Sequence, residues 1–123
     1  MADPGAWIGF DLDDVDGSKV GLVHSVYRDA GSGEPAWLVV KVGRRRGKLV
    51  AVRARDCAGA AGRVWAAHGR DALRSAPAVD PSRPLLREHE LAICAHYGIG
   101  EGAGRAAEVA RLPAGSVTSH PAG

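Results

Sequence analysis

The stretch that most restricts the fold runs from Lys19 to Asp29, KVGLVHSVYRD. Its β-branched density and the Asp16-Gly17 turn before it read as a strand. Its apolar residues break parity, however. Val20 and Val26 share one parity and Val23 has the other, so a regular strand of period two cannot place all three on one face. A β-bulge near His24 or Ser25 is the expected remedy, and a bulge bends the sheet that contains it.

The neighbouring segments agree. Trp7 to Leu12 reads as a first strand, Trp37 to Val42 as a third and Leu49 to Arg53 as a fourth. Ala58 to Gly62 reads as a small-residue break before a shorter strand at Arg63 to Ala67. Several short strands separated by turns predict a β-barrel or sandwich. Pro84 is placed to open a helix, and Gly98 to end it. Leu86, Ile93 and Tyr97 recur at helical spacing in between. The expected organisation is mainly β: a strongly bent antiparallel barrel over residues 1–79, a linker and C-terminal helix over 80–98, and a flexible Gly/Ala/Pro-rich tail over 99–123. Within that tail, Ala106 to Leu112 is the one stretch with helical character.

Composition sets outer bounds. A length of 123 residues suits a single domain, and 46% hydrophobic with 24% charged residues fits a globular one. The net charge of +2 imposes no class of partner, since a local patch matters more than the total. MADPGAW at the start lacks the features of a signal peptide, and no apolar run has bilayer length. These points predict a cytoplasmic protein with Cys57 and Cys94 as free thiols.

The order of several features resembles the PRC-barrel family. They are Gly9, Asp16-Gly17, Val20-Gly21 with Val23 and Val26, the Asp29–Pro35 turn, Trp37-Leu38-Val39-Val40, Ala76-Pro77, and a terminal helix ending His96-Tyr97-Gly98. The resemblance spans Trp7 to Gly98. It implies a small, strongly bent β-barrel that serves as an adaptor, as in the reaction-centre H subunit and a ribosome maturation factor. Here it implies a free-standing bacterial member.

Signatures of chemistry fail on their own spacing. An EF-hand register with Gly17 sixth places Leu12 first and Val23 twelfth, where oxygen ligands belong. His89-Glu90 is followed by Ile93 where HExxH needs histidine. Gly98-Ile-Gly100-Glu-Gly102-Ala-Gly104 lacks the last glycine of a dinucleotide loop and follows a helix instead of a strand. No catalytic residue, metal or cofactor is therefore expected. Parity places Leu38, Val40 and Val42 inside the barrel, which turns Trp37 and Val39 outward. That outer face needs cover from the terminal helix or from a second subunit, and homodimerisation is the simpler expectation. The expected protein contacts are Trp37, Val39, Leu86, Ile93 and Tyr97. Arg44, Arg45, Arg46 and Lys48 form a basic hairpin tip. They are candidate contacts for phosphate or for an acidic partner, which makes an RNA- or ribosome-associated module the alternative. A pocket lined by His24, His68 or Asp29 would point instead to a ligand-binding barrel.

Overall fold

The computed structural model describes residues 4–43 and 47–99, together with the backbone of 111–113. Strands β1 (Asp11–Asp13), β2 (Lys19–Asp29), β3 (Pro35–Val42), β4 (Lys48–Arg53), β5 (Cys57–Ala60) and β6 (Arg63–Ala66) form one mixed sheet in the order β4-β3-β2-β1-β6-β5. Helices α1 (Arg70–Ser75) and α2 (Arg87–Tyr97) follow. A last strand, β7 (Arg111–Pro113), pairs antiparallel with β2 at Tyr27, Arg28 and Asp29. The pair β1–β6 is parallel, and its register sets Leu12 opposite Val64.

Strand β2 carries the expected bulge. Val23 pairs with Val40 and Ser25 with Val39, which leaves His24 as the extra residue. Val23 and Val26 thereby reach the same interior. One irregularity is not enough for all three valines. A second register shift, between β1 and β2 at Leu12/Asp13, skips Val20 and turns it inward as well. All three are buried in one core with Leu12, Leu38, Val40, Val50, Val52 and Val64.

The sheet is curled without being closed, which corrects the expectation of a closed antiparallel barrel. Its end strands, β4 and β5, share no ladder. They are nevertheless neighbours in the chain, joined by the 3-10 turn Ala54–Asp56. Six flat strands would hold the outer two roughly 24 Å apart at about 4.8 Å per step. The four residue steps from Arg53 to Cys57 reach at most ~14 Å. The sheet must therefore roll up until its ends meet at this elbow. Strands β4 and β5 run in the same sense, as successive lengths of one bent course. They meet end to end instead of side by side, so no ladder closes the barrel.

Three other expectations change. Trp7 lies in the 3-10 turn Pro4–Trp7 and not in a strand. It packs on β5, where a Cβ at Gly59 would come within 2.5 Å of the indole. The break at Ala58–Gly62 is in fact strand β5 and its turn to β6. Of the tail, residues 100–110 and 114–123 lie outside the described residues. Arg111–Pro113 is a strand and not part of a helix.

Candidate functional site

Helix α2 covers the outer face of β2, β3 and β4. It starts three residues after Pro84, with the His89 and Glu90 amides bonded to the Leu86 carbonyl at 3.0 Å. Glu88 and Glu90 lie in its first turn, where negative charge favours the helix dipole. Gly98 ends it at φ 70, a left-handed conformation that glycine adopts without strain. Leu85 and Ile93 pack on Tyr27, Trp37, Val39 and Ala51 as a second buried cluster. Glu90 is buried with them, and its Oε2 accepts the Trp37 indole N–H at 2.9 Å.

This arrangement decides between the two covers left open by parity. The terminal helix lies over Trp37 and Val39, and both are buried within one chain, as is Ile93. These three expected contact residues are out of reach of a partner. Tyr97 is half-buried. Its hydroxyl donates to the Ala51 carbonyl at 2.9 Å, and its ring lies 4.4 Å from that of His68. Leu86, at 46% exposure, is the expected contact residue that remains open to solvent.

Leu86 stands at the rim of a groove of about 490 Å³ between α2 and the 77–86 segment, lined by Tyr27, Val79, Leu85, His89 and Ile93 among others. Tyr27 fixes the segment in place. Its hydroxyl is shared between the carbonyls of Asp80 at 2.8 Å and Arg83 at 3.0 Å. Burial, with the Asp80 charge second, pushes that hydroxyl up to about 12. Neither His24, His68 nor Asp29 lines this groove.

Neither a family model nor a curated protein matches this chain.

The polar clusters serve the fold. Asp14 Oδ1 accepts the Asp16 and Ser18 amides at 2.9 Å each, which builds the acidic turn from its own backbone. Buried Asp13 holds Arg63 in a bidentate pair at 2.8 and 2.9 Å. Asp56 binds Arg53 through both oxygens and lies 3.2 Å from His68 Nε2. Beside it, the Cys57 thiol points at the Arg53 carbonyl. Burial, and then the charge of Asp56, raises this thiol from an ordinary value of 9.0 to about 12, so the nucleophilic thiolate is suppressed near neutral pH. Among the described residues, no group of three or more His, Cys, Asp or Glu side chains is placed to hold a metal ion.

Three protonated groups, Tyr27, Cys57 and Tyr97, are retained by the fold well above their ordinary values of 10.0, 9.0 and 10.0, each chiefly through burial. The unfolded chain releases these protons at lower pH than the native protein does. Stability is therefore full below about pH 9 and falls as pH rises toward 12. Urea midpoints measured from pH 7 to 11 should hold level and then decline. Cys57→Ala should delay the onset of the decline toward pH 10, and a flat profile would contradict this account.

Of the basic tip, Arg44, Arg45 and Arg46 lie outside the described residues. Lys48 donates to the Arg74 carbonyl at 3.0 Å. Lys48 and Arg74 line a depression at the base of the hairpin together with Val42 and Gly43.

Sequence reasoning missed the Trp65 surface. Strand β6 alternates, with Val64 and Ala66 buried and Trp65 at 39% exposure. That alternation was visible in Arg-Val-Trp-Ala and marks Trp65 as outward-facing. Trp65 shares a depression of about 460 Å³ with Val15, Arg55 and Ala58.

Proposed function

We propose that this chain is a non-catalytic adaptor of PRC-barrel type, acting in the cytoplasm through protein–protein contacts and forming a homodimer. The observation that carries the reading is the groove beside α2, with an apolar lining and a half-exposed Leu86 at its rim. Exposed apolar surface beside a rigid helix is what a docking partner buries. The curled six-strand path with a terminal helix over its outer face supports the PRC-type assignment. Cys57 and Cys94 form no disulfide among the described residues, and no described helix is long and apolar enough to cross a membrane; both accord with the proposed compartment. In this reading the dimer contact lies at the Leu86 rim, because α2 already covers Trp37 and Val39.

Light scattering at micromolar concentration tests the dimer. Twice the chain mass is expected for the parent protein, and the single mass for Leu86→Glu. A photo-crosslinking residue at position 86 tests the adaptor role in cells of the source organism. A crosslinked protein, lost when Tyr27→Ala opens the groove, supports it. No crosslink to any protein, self included, removes it.

A second reading, an RNA- or ribosome-associated module, is favoured by the placement of Lys48 and Arg74 around one depression at the end of the β3–β4 ladder. Salt separates the two, since phosphate contacts weaken steeply with ionic strength and an apolar groove does not.

A further inference from the structure

We propose that the outward edge of β5, with the Trp65–Arg55 shelf beside it, is a strand-addition site for an extended peptide that carries an apolar side chain next to an acidic one. This surface lies apart from the groove at α2 and stands independently of the reading given for it.

The two ends of the sheet are treated differently. The outer edge of β4 is sealed: Val50 bridges Ala78, the Val79 amide bonds the Leu49 carbonyl at 2.9 Å, and Tyr97 bonds the Ala51 carbonyl. The outer edge of β5 pairs with no described strand. Edges are ordinarily guarded by charge, proline or a bulge. Cys57-Ala58-Gly59-Ala60 has none of these. Of its outward groups the Cys57 amide is bonded to the Ala54 carbonyl, which leaves the Cys57 C=O and the Gly59 N–H and C=O open, among the described residues, to another strand.

The face beside this edge is shaped for a side chain. Ala58 and Ala60 are the outward residues of β5, and Ala58 pairs with Trp65. A strand added at about 4.8 Å from β5 places a side chain next to Ala58. Only a methyl group then separates it from the indole. Arg55 borders the same depression and makes no ion pair among the described residues. The two carboxylates there are already engaged, Asp56 by Arg53 and Asp14 by Arg70. The depression therefore presents one uncompensated positive charge, which favours an acidic residue on the incoming strand. A second copy's β5 is a poor occupant, because it offers neither a large apolar side chain nor an acid.

The test is selection of random twelve-residue peptides displayed on phage against the immobilised full chain. Enriched sequences should combine a β-branched or aromatic residue with Asp or Glu at fixed spacing. Their binding should fall at least tenfold on Trp65→Ala and on Arg55→Glu, and Arg55→Glu should itself select basic sequences. NMR shifts on peptide addition should centre on the amides of Cys57 to Ala60. Both substitutions are at exposed positions, and an unchanged urea midpoint confirms that each variant is folded. No enrichment, or enriched peptides indifferent to both substitutions, overturns the proposal. So does oligothymidine binding with the same Trp65 and Arg55 dependence in the absence of peptide binding.

Discussion

Trp37→Ala is expected to lower the free energy of unfolding by about 3–5 kcal/mol, the range for removing a large aromatic from a packed core. The indole is 4% exposed and lies between the outer face of β3 and α2. Its removal leaves a cavity under the helix and takes away the N–H that the buried Glu90 carboxylate accepts at 2.9 Å. Urea denaturation followed by circular dichroism measures the loss. Trp37→Phe separates the two contributions. It keeps most of the packing and removes the hydrogen bond, so it should cost less than the alanine variant. A loss below about 1 kcal/mol for Trp37→Ala would mean that α2 does not seat on this face.

The second large effect is expected at Gly21. A Cβ there would lie 2.0 Å from the Lys41 carbonyl oxygen and 3.0 Å from its carbon. Both are backbone atoms of the adjacent strand, so no side chain can rotate away. Gly21 is also held from the other side, opposite Leu12 of β1. Gly21→Ala must push β3 from β2 and should cost about 3 kcal/mol or more, beyond an ordinary overpacked core. Gly69→Ala is the control. It meets nothing within 4 Å and should change stability little. Equal urea midpoints for the two variants would refute the close approach of β2 and β3.

The contrast between what was legible and what was not follows from the range of each interaction. Strand β2 was readable to its ends, and the bulge at His24 was readable from three valines, because side-chain parity is a local property. The end of helix α2 was readable from Gly98, whereas its start lies at Arg87, three residues beyond the expected Pro84. Strand β5 was missed because Cys-Ala-Gly-Ala has no β-branched residue. It becomes a strand through its pairing with β6 and the seat it gives Trp7. The parallel β1–β6 pair was illegible, since nothing near Leu12 in sequence names Val64. Parity exposed the Trp37–Val39 face, while the seating of α2 on it depends on tertiary packing that no local pattern specifies. The Leu86 rim was in view from helical spacing, whereas the outward turn of Trp65 went unread despite the alternation of Arg-Val-Trp-Ala.

The cover that α2 gives the outer sheet face also sets an order of events during synthesis. Ribosomes deliver β1 to β6 before α2, which follows a few seconds later at about 5–20 residues per second. Throughout that interval Trp37, Val39 and Tyr27 lack the cover that α2 gives them, which leaves an aromatic face open to aggregation. Chains stalled or truncated before position 87 should aggregate, while those released after Gly98 should not.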